Sequence, residues 1–357
     1  MKSEIKILFT FIVINVFLSC NSNSKKDTEK PLEKEKVTVN EKNIVKPENF
    51  IRAETDKMFY NISQQAGGIN KFYHIRDVTP LDKQTVVRMN KDVLYSGAVV
   101  DAEKGATVTF PAMPDKRYAS ILVIDNDHYC PVVYYKSGKY KLPADTKYMF
   151  MAIRIQIYNP NDAKEIAMVN KLKDQFVIES NSADAFKKPL WDSKSLDSLH
   201  VVYEKEFSKY DRYPDDWMGP RGKVNEKTRQ YACAGAWGLF PNKDATYINY
   251  NGGNLSGNKC YVATYKVPDV SGFWSITVYG KDGFMKSTNS VINASNVKYN
   301  ADKKTFTVYF GAADKCPKDA KNRLDITDGW NFLMRCYLPG KEVLDGTYKL
   351  PSVTEVK

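Results

Sequence analysis

Several chemistries are missing from this sequence. There is no G-x-S-x-G elbow, no G-x-G-x-x-G or Walker loop, and no H-x-H or H-E-x-x-H spacing. Serine-hydrolase, nucleotide and zinc-protease chemistry therefore have no motif to stand on. Histidine is scarce, with His74, His128 and His200 only. No C-x-x-C occurs, which removes the usual zinc and redox-dithiol signatures. The cysteines other than Cys20 are Cys130, Cys233, Cys260, Cys316 and Cys336, an odd number, so at least one of them is unpaired or bonds another chain. No fixed-period repeat is present. The formal charge of +11 is spread along the chain rather than gathered into a basic helix. That is a Lys-rich solvated surface, not a nucleic-acid footprint.

The apolar run Ile7 to Leu18 is too short to span a bilayer, which takes about 20 apolar residues. It follows Lys2 and Lys6 and ends in Phe17-Leu18-Ser19-Cys20, the order of a signal peptide (1–19) with a lipobox. Cys20 is the expected lipidation site, with residues 20–46 as a polar tether to the membrane. The expected location is therefore the bacterial cell envelope.

Beyond the tether, 23 Tyr against 5 Trp suits a β-rich exported protein, because Tyr packs on a pleated surface while keeping a wet hydroxyl. Pro47 to Ile62 reads as an amphipathic helix with Ile51, Met58, Phe59 and Ile62 on one stripe, stopped by Gly67-Gly68. Strands are predicted at 85–89, 93–100, 106–110, 118–124, 131–136 and 148–158. The last puts Ile153, Ile155 and Ile157 on one face and Arg154 and Gln156 on the other. A helix should start at Asn159-Pro160, with Asn159 as cap and Ile166, Val169, Leu172 and Phe176 inward. A second is predicted over 195–207, with Leu196, Leu199, Val202 and Tyr203 inward, and a third, small-residue-rich one over 228–237. Residues 211–222 read as loop. A second β block follows, with Phe273 to Tyr279, a turn at Gly280-Lys281-Asp282-Gly283, Thr305 to Phe310, and Trp330 to Leu338. The last of these sets Trp330, Phe332, Met334 and Cys336 against Arg335 and Tyr337.

The stretch Val87-Arg88-Met89-Asn90-Lys91-Asp92-Val93-Leu94-Tyr95-Ser96, then Asp101, Arg117-Tyr118 and Asp125, resembles the domain-of-unknown-function family numbered 1254. Ala245-Thr246-Tyr247, Gly272 to Tyr279, Gly329-Trp330-Asn331, Arg335-Cys336-Tyr337 and Leu344-Asp345-Gly346 resemble its partner family numbered 1214. The resemblance implies a mainly β (α+β) fold of two jelly-roll-like β-sandwich halves, here 47–158 and 238–357, with a helical connection over 159–237. It implies no settled activity.

Arg88, Asn90, Asp92 and Tyr95 place a cation, an amide, a carboxylate and a phenol within eight residues. They suit either a ligand site or a hydrogen-bond knot that fixes a turn. Asp125, Trp274, Arg335 and Tyr337 complete the candidate ligand-binding set. The ligand class expected is a polar small molecule or saccharide in a cleft between the halves, with no cofactor, metal or nucleic acid. His74 and His128 could converge beside Asp125 and Asp127, whereas His200 reads as structural. The competing expectation is a non-enzymatic structural or assembly protein tethered to the membrane surface, which a stable homo-oligomer would favour.

Overall fold

The computed structural model describes residues 43–84 and 87–357. The signal-peptide stretch, Cys20, most of the tether, and Thr85 and Val86 lie outside the described residues. The described chain folds mostly as antiparallel β-structure, with five α-helices and sixteen strands.

The first half is a sandwich of two sheets. Strands β1 (Tyr73–His74), β2 (Val93–Asp101), β4 (Ala119–Asp125), β5 (Val132–Tyr134) and β7 (Tyr148–Gln156) form one sheet, ordered β1-β2-β7-β4-β5. Strands β3 (Ala106–Phe110), β6 (Gly138–Lys141) and β8 (Val177–Ser180) form the other, ordered β6-β3-β8. The alternation of β7 dictates the layering. Met151, Ile153 and Ile155 join Leu94, Ile121 and Val108 in the core between the two sheets. Phe150 and Ala152 point the other way, into a second cluster that includes Phe59 and, from the second half, Phe273 and Tyr337. Both faces of the larger sheet are therefore buried, and the polar row that β7 carries is buried with them.

The second half stacks β12 (Val291–Asn293), β11 (Trp274–Tyr279), β15 (Asn331–Tyr337) and β9 (Ala245–Asn251) on β14 (Arg323–Leu324), β13 (Thr305–Phe310), β10 (Tyr261–Lys266) and β16 (Thr354–Glu355). Trp274, Ile276, Phe332, Met334 and Cys336 fill this sandwich with Tyr265 and Phe306. A disulfide joins Cys260 to Cys316 across 56 residues, while Cys130, Cys233 and Cys336 are free and buried. Closing a loop of that length restricts the unfolded chain, so Cys260→Ala/Cys316→Ala should cost about 2–4 kcal/mol. Urea titration checks this: added reductant should shift the wild type toward the variant and leave the variant unmoved.

Several boundaries differ from the sequence reading. Helix α1 runs Phe50–Gln65, and its inward face carries Phe50, Ala53, Glu54, Asp56 and Phe59. Its buried acids are held by polar partners: Glu54 by His200, and Asp56 by Trp191 and Asn126. Val87 and Arg88 form a turn rather than a strand. Helix α2 (Ala163–Lys173) is capped by Asp162, whose carboxylate accepts from the Lys164 amide at 2.9 Å, three residues after the expected cap. Helix α3 (Ser193–Phe207) leaves Val202 53% exposed, so it is not part of the inward stripe. Helix α4 spans Arg229–Gly235. The turn at 280–283 forms, but the returning strand starts only at Val291.

Candidate functional site

Register places the polar residues. Across the first half, Tyr95 on β2 lies opposite Arg154 on β7, and Arg154 opposite Ser120 on β4. Across the second, Tyr247 on β9 lies opposite Arg335 on β15, and Arg335 opposite Ser275 on β11. Cross-strand partners share a face. Each half thus presents one polar row away from its own sandwich core, and the two rows meet at the junction between the halves.

Part of this junction is a closed hydrogen-bond knot. Asp92 has no exposed surface. Its carboxylate accepts from the Ser275 hydroxyl and, at 3.3 Å, from the Tyr337 hydroxyl. Asn90 donates to the Tyr337 oxygen at 2.8 Å and to the Tyr95 oxygen at 3.2 Å, and accepts from the Asp92 amide at 2.9 Å. Arg335 donates to the Arg88 carbonyl and the Tyr279 hydroxyl, both at 2.8 Å, and to Thr277 at 3.0 Å. Arg88 reaches Asn249 at 2.9 Å. Burial pushes the Asp92 carboxyl above the ordinary range, while the Arg335 charge and these hydrogen bonds pull it back.

Beside the knot lies a second cluster that is not closed. Arg154 is 9% exposed. One guanidinium nitrogen, Nη2, donates to the Gly238 carbonyl at 3.1 Å, whereas Nη1 meets no acceptor among the described residues. No carboxylate of those residues comes within ion-pair distance of it. Its neighbours are rings: Phe240 at 4.0 Å and Tyr95 at 5.4 Å from the guanidinium carbon. The hydroxyls of Tyr118, Tyr247 and Tyr337 also face its charge. The Tyr118 and Ser120 hydroxyls lie close together, yet neither makes a hydrogen bond of ordinary geometry. Asp244 accepts from Tyr135 at 2.7 Å through Oδ1, and its Oδ2 has no partner. Tyr95, Tyr135, Tyr213 and Tyr247 each keep part of their surface exposed. Solvent therefore reaches the edge of the cluster, not its centre.

Gly238 ties this cluster to His128. Its amide donates to His128 Nε2 at 3.1 Å while its carbonyl holds Arg154, an arrangement made at φ +76°, where glycine carries no Cβ penalty. Burial and the nearby Arg229 charge lower the His128 pKa to about 3, and burial lowers that of His74 to about 4. Both rings stay neutral in the fold while the unfolded chain protonates near 6.5. The unfolded state therefore binds more protons between those values, and stability falls as pH falls from about 6.5 toward 3. Each ring contributes a slope of up to about 1.4 kcal/mol per pH unit in that window. In His128→Gln, urea midpoints at pH 6.5, 5.5 and 4.5 should decline less steeply than in the wild type.

Of the residues singled out by sequence, Arg88, Asn90, Asp92, Tyr95, Arg335 and Tyr337 come together at this junction. Trp274 does not join them. It points into the second sandwich, 1% exposed and stacked on Phe306 at 4.3 Å. Asp125 caps its own turn, accepting from the Asp127 and Tyr129 amides at 2.9 Å, and pairs with Arg221. It borders a different region: a surface concavity of about 460 Å³ lined by residues including Arg52, Asp127, Tyr129, Arg221, Glu226 and Arg229. There Arg52 and Arg221 meet Asp127, and Arg229 meets Glu226. His74 bonds Ser96 on the far face of the first sheet and does not converge with His128. Among the described residues no cluster has the make-up of a metal site.

Arg154 was legible only as the polar side of an alternating strand, and Tyr118 only as part of a family motif. Asp244, Ser120 and Gly238 gave no signal at all. Their meeting with Arg154 depends on segments more than eighty residues apart.

Residues 69–137 match the family described as a protein of unknown function (DUF1254), and residues 244–341 match the one described as a protein of unknown function (DUF1214). Among solved structures, the VPA0106 protein from Vibrio parahaemolyticus is similar with a TM-score of 0.65 at 18% identity, over 87% of this chain and 98% of its own. A putative uncharacterized protein from Burkholderia cenocepacia is similar with a TM-score of 0.51 at 15% identity, over 87% of each chain. These likenesses establish the fold alone. No curated protein matches the chain significantly.

Proposed function

We propose that this protein, with a DUF1254-type first half and a DUF1214-type second half, is a lipid-anchored cell-envelope protein. It holds a small polar ligand at the Arg154 cluster between its two β halves. The carrying observation is the buried guanidinium with one nitrogen unsatisfied and no carboxylate beside it. A buried charge that lacks a partner costs several kcal/mol, so folds that keep one place it where something from outside completes it. The knot around Asp92 supplies the frame. Its donors and acceptors are matched within the chain, and it fixes the two polar rows against each other. A purely structural role accounts for that knot but leaves Arg154, Tyr118, Ser120 and Asp244 unexplained. The partly exposed tyrosine rings beside them suit the faces of a saccharide.

The Cys260–Cys316 disulfide supports an oxidising, exported setting. No described helix is long and apolar enough to cross a membrane. The attachment proposed is through acyl chains on Cys20. In a detergent two-phase partition the wild type should enter the detergent phase, and Cys20→Ala should move almost wholly to the aqueous phase with an unchanged melting curve. Equal partitioning of the two would remove the anchor.

The binding reading is tested by saturation-transfer NMR on the soluble body, against a panel of neutral and acidic sugars. At least one should give transfer with wild type and none with Arg154→Gln, the variant's near-ultraviolet dichroism being native. Transfer that survives the substitution would place the ligand elsewhere.

A further inference from the structure

The unpartnered atoms of the Arg154 cluster narrow the chemistry of its ligand. Four polar atoms at the junction have no hydrogen-bond partner of ordinary geometry among the described residues: Arg154 Nη1, Asp244 Oδ2, and the Tyr118 Oη and Ser120 Oγ hydroxyls, which lie beside each other. Each belongs to a side chain at least nine-tenths buried, with Tyr118 at 6%, Ser120 at 0% and Asp244 at 6% exposed. They are neighbours rather than scattered. Ser120 lies directly opposite Arg154, Tyr118 sits two residues before Ser120 on the same face, and the Tyr118 ring lies 6.0 Å from that of Tyr135, whose hydroxyl holds Asp244.

The set is asymmetric. Three of the four atoms can donate: a guanidinium N–H and two hydroxyls. The fourth belongs to a carboxylate and accepts. Donors gathered around one cation suit an anionic oxygen pair, and a planar carboxylate suits a guanidinium best. A phosphate dianion fits poorly, because only one cation in this cluster answers it and Asp244, bonded to Tyr135 beside Tyr118, adds a negative charge. Asp244 Oδ2 in turn suits a hydroxyl donor on the same ligand, and its position is steadied by the 2.7 Å bond from Tyr135 to its other oxygen. The adjoining rings of Phe240 and Tyr95, over which the guanidinium stacks, would lie against the ligand's carbon skeleton.

We propose that the ligand is a hydroxy-carboxylate, of the kind exemplified by a sugar acid. Its carboxylate would be held by Arg154, Tyr118 and Ser120, with a hydroxyl donated to Asp244. This rests on the reading of the Arg154 cluster as a ligand site, and the test separates the two.

Glucuronate, galacturonate and lactate are titrated by isothermal calorimetry, each against its neutral amide, with wild type, Arg154→Gln and Asp244→Asn. At least one acid should bind wild type about tenfold or more tightly than its amide, since a charge-assisted hydrogen bond is lost in the amide. Arg154→Gln should erase that preference. Asp244→Asn should weaken acid and amide by a similar factor. An amide that binds as well as its acid, with both lost in Arg154→Gln, would overturn the carboxylate while keeping the site. If no compound binds wild type at millimolar concentration, or binding is indifferent to Arg154→Gln, both the carboxylate and the site fall.

Discussion

Arg335→Met should destabilise the protein by about 3–5 kcal/mol, read as a lower urea midpoint at unchanged slope. Arg335 is 3% exposed and makes three hydrogen bonds, to the Arg88 carbonyl, Tyr279 and Thr277. Its charge also acts on Asp92, a carboxylate with no exposed surface. Methionine fills much of the same volume but offers none of the donors. The Arg88 carbonyl and the Tyr279 oxygen lose a partner, and Asp92 is left as a buried carboxyl without a neighbouring cation. Removing one of two buried opposite charges that act on each other is costly for that reason, whereas removing both costs less. Arg335→Met/Asp92→Leu should therefore recover part of the loss, with a coupling energy of at least about 1 kcal/mol between the two sites. Purely additive losses would mean that the knot does not act as a unit. Because the Arg88 carbonyl belongs to the first half and Arg335 to the second, the loss should appear as a single transition in which both halves unfold together.

How much of this was legible in the sequence follows from where each signal resides. The period-two pattern of β15 separates Trp330, Phe332, Met334 and Cys336 from Arg335 and Tyr337 without ambiguity, because one face is wholly apolar. The two sandwich halves follow from such patterns and from the family motifs, but the start of the stretch read as a connection belongs to the first half: Val169, Leu172 and Phe176 enter its core and β8 pairs with β3. Helix α1 misled for a physical reason. Its buried face carries Glu54 and Asp56, whose polar partners come from Asn126, Trp191 and His200, and no local pattern announces a buried, partnered acid. The α2 cap slipped by three residues because Asn159 and Asp162 are both competent caps. Strands β6 and β8 are largely exposed, so their side chains carry little apolar alternation.

The junction divides in the same way. Arg88 to Tyr95 drew attention because unlike polar groups crowd one short stretch. Arg154 did not, because an arginine between isoleucines on a strand ordinarily faces water. What makes it unusual is a second layer: Tyr247 and Tyr337 of the other half, together with Phe240 and Gly238. That layer is a property of topology, and no window of sequence contains it.

Arg154→Met should raise the stability of the ligand-free protein by about 1 kcal/mol or more and abolish ligand binding. The substitution gives up the bond to the Gly238 carbonyl, a loss of roughly 0.5–1.5 kcal/mol, and the contacts with the Phe240 and Tyr95 rings. Against this it removes a buried charge with one unsatisfied nitrogen, whose desolvation cost is several kcal/mol. Sites kept for binding commonly carry such a cost in stability, and relieving it costs function.

Urea unfolding of Arg154→Met and Arg335→Met, run in parallel with wild type at pH 7, distinguishes a ligand site from a second structural knot. The two substitutions are the same, on strands facing one junction, at two arginines that are both nine-tenths buried or more. Opposite signs are expected: Arg335→Met less stable than wild type, because its partners are inside the chain, and Arg154→Met at least as stable as wild type, because its missing partner is not. A loss of 3 kcal/mol or more in both variants would contradict the account, since it would make Arg154 another strut of the knot rather than the centre of a ligand site.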